Sequence, residues 1–167
     1  MIHTVYGNMV EAIAENDLYG RREFYVHGCN AQGAMGRGIA GEFRREYPTV
    51  WKDYRRAYLL QGLKVGDVIS VELSDSWGIV FNAITQEFYG ADKNVVYVDY
   101  DGLRKCFKKI NKMILNWNTE FPEVVYDKVL NFPLIGAGLA NGDWNIIEKI
   151  IDDEIDNSIE KVLWKLP

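Results

Sequence analysis

Apolar residues recur along this chain in two periods. Leu103, Phe107, Ile110 and Ile114 stand at i, i+4, i+7 and i+11, which predicts a helix over residues 99–116. Ile147, Ile150, Ile151 and Ile155 predict another over 143–156, with Asn141 and Asp143 as cap candidates. Ile39, Phe43 and Tyr47 mark 38–47. Val50, Tyr54, Ala57 and Tyr58 mark 49–60, entered just after Pro48. A shorter helix is expected over 8–16. Short β-rich runs lie between these: 2–6, stopped by Gly7, and 23–27, stopped by Gly28. Residues 67–73 and 77–84 flank a turn at 74–76 and predict a hairpin-like pair. Runs 129–135 and 161–166 complete the set. Strands and helices alternate, so the fold class expected is α/β, a mixed sheet with helices on both faces. In such sheets ligands bind where loops leave the carboxyl ends of strands.

Composition bounds the function. With 48% hydrophobic and 26% charged residues the chain has a globular balance, which excludes disorder as its main state. Its 167 residues suit one domain, taken as 1–167, and no linker, repeat or low-complexity tract divides them. No apolar run approaches about 18 residues, so no membrane span is expected. The opening MIHTVYGNMVEA lacks a basic stretch followed by an apolar one, so no signal peptide is expected. Cys29 and Cys106 are too few for a disulfide scaffold or a zinc cage, so no metal site is expected; as reduced thiols they fit a cytoplasmic location. Cys29 reads as a small packing residue and the basic run 104–112 as a solvated helix face. The net charge of −5 speaks against sequence-blind nucleic-acid binding. It says little against a small anion, because residues 20–56 hold eight basic and four acidic residues while 142–167 hold three basic and seven acidic.

Candidate chemistry gathers in two glycine-rich loops. HGCNAQGAMGRGIAGEF, residues 27–43, follows a strand and opens a helix; LIGAGLANGDW, residues 134–144, repeats that layout. Glycines let the backbone approach a ligand, and successive N–H groups beside a helix N-terminus make an anion site. Two such loops suit the two ends of one elongated anion such as a diphosphate; read blandly, both are tight strand-to-helix turns. The run Gly36-Arg-Gly38-Ile-Ala-Gly41 matches GxGxxG in form only. It begins nine residues after His27, and about twenty residues beyond it lies a helix rather than a strand ending in an acid, so a nicotinamide dinucleotide is not expected.

The pairing of HGCNAQGAMGRGIAGEF with FPLIGAGLANGDW resembles the macro domain family. It is most similar to the branch that includes yeast ADP-ribose 1″-phosphate phosphatase and human terminal ADP-ribose glycohydrolase, with relatives in tailed phages. GNMVEA, NAITQ and VVYVDYDGLRKCF fit as well, so the resemblance runs from Ile2 to Leu166. It implies a three-layer α/β/α macro fold with a mixed central sheet and ADP-ribose across the strand ends. It places Gly28 in the site, lays Gly36, Arg37, Gly38 and Ile39 along the diphosphate, and wraps Gly136, Ala137, Gly138 and Leu139 around its other side. It turns Asn30, Gln32 and Met35 to the distal ribose. Asn8 stands where many members have an adenine-binding Asp, and can still accept through its amide oxygen. Trp164 falls where relatives put an aromatic on adenine; its alternative is a core place on an edge strand.

The glycohydrolase branch uses a Lys after the middle strand and an Asp in the second loop. Here the segment Ile84-Thr85-Gln86-Glu87 holds no Lys and Ala140 replaces that Asp, so a Schiff-base mechanism is not expected. Hydrolysis of ADP-ribose 1″-phosphate asks instead for positioning and charge stabilisation. Three residues are candidates for it: Asp143 as base for a water, His27 as acid, and Asn30 to orient water or ribose hydroxyls. Their structural alternatives are an N-cap, a backbone-bonded strand end and a turn residue. The function expected is thus an ADP-ribose-binding macro domain acting as a phosphatase. The alternatives are a non-catalytic ADP-ribose reader, a de-ADP-ribosylating enzyme and an O-acetyl-ADP-ribose hydrolase. No cofactor is expected, the partner is ADP-ribose or its 1″-phosphate, and the protein is expected to be a monomer.

Overall fold

A computed structural model describes residues 1–74 and 78–167. Six strands form one sheet: β1 (Ile2–Tyr6), β2 (Phe24–Asn30), β3 (Val68–Glu72), β4 (Ile79–Gln86), β5 (Val129–Phe132) and β6 (Glu160–Lys165). Their order is β1-β6-β5-β2-β4-β3, and only β3 runs antiparallel to its neighbour. β3 and β4 are the expected hairpin-like pair; the tip of the turn read at 74–76 lies outside the described residues. Of the five parallel strands, β1, β2, β4 and β5 each lead into a helix, so four strand-to-helix loops gather at one end of the sheet.

Alternation within β2 sets the layers. Phe24 and Val26 point to one face, Tyr25, His27 and Cys29 to the other. The first face is covered by α4 (Tyr100–Glu120) and α5 (Trp144–Glu154). The stripe Leu103, Phe107, Ile110 and Ile114 is buried there, as is the Ile147, Ile150, Ile151 stripe. Burial of each such side chain contributes roughly 1.5–3 kcal/mol. The second face carries α1 (Met9–Leu18), α2 (Gly38–Glu46) and α3 (Pro48–Gln61), through Met9, Ile13, Phe43, Val50 and Tyr54. This is the three-layer α/β/α arrangement expected.

Several element ends shift from expectation, α4 running on to Glu120, and two of the shifts bear on the loops. β2 does not stop at Gly28: Gly28 pairs with Ala83 and Cys29 with Ile84, and the ladder shifts only between Cys29 and Asn30. Gly28 is thus a half-buried strand residue whose bare Cα leaves room for Thr85 and Ile135. β5 stops at Phe132 rather than continuing to 135, because Pro133 has no N–H to give the ladder.

Candidate functional site

The β2–α2 loop is shaped from beneath by Asn30. Its Oδ1 accepts from the amides of Gln32 (3.0 Å) and Ala34 (3.3 Å) and from the Tyr54 hydroxyl (3.0 Å). Its Nδ2 donates to the Ala34 carbonyl at 2.7 Å. Arg55, beside the Tyr58 ring, donates to the Gly33 carbonyl at 3.0 Å. Arg44, over Trp51, donates to the Met35 carbonyl at 3.3 Å. The loop is a held shape rather than a slack one.

The β5–α5 loop is closed on itself by the Gly142 amide donating to the Gly136 carbonyl at 2.7 Å. It is also tied sideways. Asn141 Nδ2 donates to the carbonyls of Asp92 (3.0 Å) and Val95 (2.7 Å), and the Tyr97 amide donates to the Ala140 carbonyl at 2.9 Å. Its exposed tip, Leu139, reaches Gly38 at the start of α2.

Neither α2 nor α3 carries a side-chain cap. Asn8 caps α1, Asp99 caps α4 and Asp143 caps α5, each side chain accepting a first-turn amide. α3 opens on Pro48. α2 has no side-chain cap, so its first-turn N–H groups and the positive end of its dipole stay open to an anion beside Leu139. Of the predicted diphosphate residues on the two loops, Gly38 and Leu139 meet at this point.

Several predicted site residues lie elsewhere. His27 is fully buried, its ring on Phe43 and its Nε2 hydrogen-bonded to Asn82 Oδ1, while Asn82 Nδ2 donates to the Val50 carbonyl. Burial lowers its pKa to about 4, so the imidazole is neutral at pH 7. A side chain with no exposed surface cannot protonate a leaving group in the cleft, and the acid role is corrected to a structural one. Met35 is also corrected: it is 2% exposed and packs with Phe43 and Tyr54 instead of facing a ribose. Asn30 spends its side chain on the loop, the turn role set against its catalytic one. Asp143 is exposed at the start of α5, its Oδ1 accepting the Asn145 amide at 2.9 Å; that capping contact gives it no link to the β2–α2 loop. Cys29 is buried, its thiol pushed well above the usual range, which suits packing.

At the β1 end, Asn8 Oδ1 is occupied by the amides of Val10 (2.9 Å) and Glu11 (3.2 Å). The capping contacts leave that oxygen little to offer adenine. Its Nδ2 donates to Glu42 Oε1 at 2.7 Å, so the carboxylate at this end comes from α2. Trp164 is half-buried between Asn131, whose Oδ1 accepts its indole N–H at 2.8 Å, and Gly7. At the β2–β4 end, Gln32 Nε2 donates to the Glu87 carbonyl and to its Oε1, both at 3.2 Å. Gln86 donates to the Phe88 carbonyl, and Arg37 reaches the Gly90 carbonyl at 2.8 Å. Glu42 and Glu87 were not singled out from the sequence. Their partners lie 34 and 55 residues away, and the only local sign was Glu87 directly following NAITQ. Ala140, at the expected Asp position, is buried.

Two hollows lie apart from the two loops. One of 540 Å³ runs between β3 and α4, lined by Val68, Met113 and Trp117. One of 820 Å³ lies between α1 and the face of β1, β6 and β5, where Trp164 forms part of the wall. No group of His, Cys, Asp and Glu among the described residues is arranged to hold a metal ion.

A six-stranded mixed sheet between helix layers, with an uncapped helix facing a glycine loop across the strand ends, is the architecture of a macro domain. The chain belongs to the Macro domain family, whose sequence profile matches residues 26–151. It is 28% identical over 138 residues, 81% of each chain, to an uncharacterized 17.5 kDa protein of Enterobacteria phage T4. It is 22% identical over 138 residues to the ADP-ribose 1″-phosphate phosphatase of Candida albicans, covering 83% of this chain and 85% of that one. A DNA ADP-ribosyl glycohydrolase of Mycobacterium tuberculosis is 25% identical over 129 residues, 76% of this chain but 33% of that protein. Among solved structures, a Bacteroides thetaiotaomicron protein of unknown function superposes with a TM-score of 0.77 at 24% identity, covering 100% of this chain and 98% of that one. Thermosipho africanus DarTG in complex with ADP-ribose superposes with a TM-score of 0.68 at 16% identity, covering 99% of this chain and 41% of that one.

Proposed function

We propose that this protein binds ADP-ribose along the strand ends and hydrolyses the phosphomonoester of ADP-ribose 1″-phosphate. The observation that carries the binding half is the uncapped N-terminus of α2, facing the 136–139 turn. The diphosphate lies there, on backbone amides that the net charge does not count. The adenine lies toward Glu42, whose carboxylate accepts from the exocyclic amino group and is held by Asn8. The half-buried edge of Trp164 beside Gly7 supports that end. The distal ribose lies toward Gln32, Gln86 and Glu87.

The phosphatase half is supported by which groups stand at the distal end. Residues 84–87 hold no amine for a Schiff base, and Ala140 lacks the carboxylate that would accompany it. Glu87 is the carboxylate there, oriented by Gln32. In the reaction a water oxygen bonds to phosphorus while the bond from phosphorus to the 1″ oxygen breaks. Glu87 takes the water proton, the 1″ oxygen leaves with a proton from solvent, and the products are ADP-ribose and inorganic phosphate. The Candida albicans relative carries this activity in its name.

A second reading, an ADP-ribose reader without turnover, is favoured by one fact: His27, Asn30 and Asp143 all spend polar atoms on the fold. Calorimetry with ADP-ribose and phosphate release from ADP-ribose 1″-phosphate separate the two. Binding with release supports the phosphatase, and binding without release leaves the reader. Absence of binding to either compound overturns both.

A further inference from the structure

Three arginines donate to backbone carbonyls around the cleft, and they differ in what else they touch. Arg44 lies over the Trp51 ring, 3.8 Å from its centroid, and Arg55 sits beside Trp51 and Tyr58. Both are committed beneath the β2–α2 loop. Arg37 is exposed at the top of that loop, and among the described residues neither a ring nor a carboxylate pairs with it. Its Nη2 donates to the Gly90 carbonyl at 2.8 Å, crossing from the β2–α2 loop to the β4–α4 loop. That anchor is itself fixed: the Tyr97 ring packs against Gly90 so closely that a side chain at 90 would collide with its hydroxyl, and the same hydroxyl accepts from the Asp92 amide at 3.2 Å. Gly90 follows Glu87 by three residues, so the guanidinium is drawn to the distal-ribose end of the cleft.

We infer that Arg37 is the recognition residue for a phosphoryl group on the distal ribose, rather than for the diphosphate beside which its sequence position places it. The inference rests on the reading of the cleft as an ADP-ribose site. A guanidinium with one N–H on a carbonyl keeps four for an anion, and its planar fork suits two oxygens of a terminal phosphate. The diphosphate needs it less, because the open α2 amides already serve that group.

The test is affinity, measured by calorimetry with ADP-ribose and with ADP-ribose 1″-phosphate, for wild type, Arg37→Gln and Arg37→Lys. The expected result is that wild type prefers the phosphorylated ligand. Arg37→Gln then weakens that ligand roughly tenfold while changing ADP-ribose less than about twofold, and Arg37→Lys falls between. Equal losses for both ligands overturn the inference in favour of a diphosphate role, as do no losses or no wild-type preference. Wild type that shows the preference but releases no phosphate removes the phosphatase reading and leaves the Arg37 assignment standing, because the assignment is read in affinity.

Discussion

Gly38 and Leu139 close the cleft from opposite loops. A Cβ built at Gly38 would lie 3.3 Å from Leu139 Cδ1, and Gly38 holds a left-handed φ of +58° at the first residue of α2. The two residues are 101 positions apart in sequence, yet they meet where the helix dipole opens. A diphosphate bound as proposed would lie under a leucine roof. Leu139→Ala opens that roof: ADP-ribose affinity is expected to drop roughly fivefold by calorimetry, with an unchanged melting temperature, since Leu139 is 57% exposed. Gly38→Ala places a Cβ against the leucine in a conformation alanine disfavours. It is expected to cost about 1 kcal/mol in urea unfolding and to weaken ADP-ribose as well.

His27 gives the fold an acid limit. Its pKa is about 4 in the folded protein, below the ordinary 6.5, because burial disfavours the charged ring. The unfolded chain takes up a proton below pH 6.5 while the folded one does not. This contribution is therefore fully present above about 6.5 and is lost as pH falls toward 4, by roughly 3 kcal/mol in all. Urea midpoints at pH 7.5, 6 and 4.5 are expected to fall more steeply for wild type than for His27→Gln. An identical slope would refute the buried, neutral imidazole.

Asp143 separates a cap from a base in one pair of variants. Asparagine caps as well as aspartate but cannot take a proton from water. Asp143→Asn is expected to keep both stability and phosphate release, whereas Asp143→Ala loses about 1 kcal/mol in urea unfolding. Loss of release with Asp143→Asn at unchanged stability would restore the catalytic role. Glu87→Gln is the companion: its phosphate release is expected to fall by about a hundredfold with stability unchanged, for an exposed carboxylate acting as base.

Asn30 is expected to matter more for the loop than its size suggests. Asn30→Ala removes the side-chain bonds to the Gln32 and Ala34 amides and to the Ala34 carbonyl, while the Tyr54 hydroxyl keeps the backbone carbonyl of residue 30, to which it donates at 2.7 Å. A cost of about 2–3 kcal/mol in unfolding is expected, against about 1 kcal/mol for Tyr54→Phe, which leaves the rest of the network in place.

The adenine end makes a prediction of its own. If Glu42 accepts from the exocyclic amino group, wild type should bind ADP-ribose more tightly than its inosine counterpart, which carries a carbonyl there. Glu42→Gln should narrow that ratio about tenfold, because its amide can donate to the carbonyl as readily as accept. An unchanged ratio places the adenine elsewhere.

The sequence by itself determined the elements, the sheet class and the two loops. The Leu103–Ile114 stripe and the alternation in β2 are local patterns, and local patterns report which face each element must bury. The glycine spacing likewise marked both strand-to-helix turns, and it was the resemblance of their full segments that pointed to the family. Tertiary structure decided which polar side chains remain available. His27 and Met35 read as site residues because they stand in the loop segment, but the sheet and α2 close over them. Asn8, Asn30 and Asp143 are chemically able ligands that the backbone claims first, since an unsatisfied buried or helix-terminal amide costs more than an exposed side chain gains. The groups left over meet across 34, 53 and 55 residues: Asn8 with Glu42, Arg37 with Gly90, and Gln32 with Glu87. No period or spacing encodes such meetings; they follow only once β2 lies beside β4 and α2 beside α1.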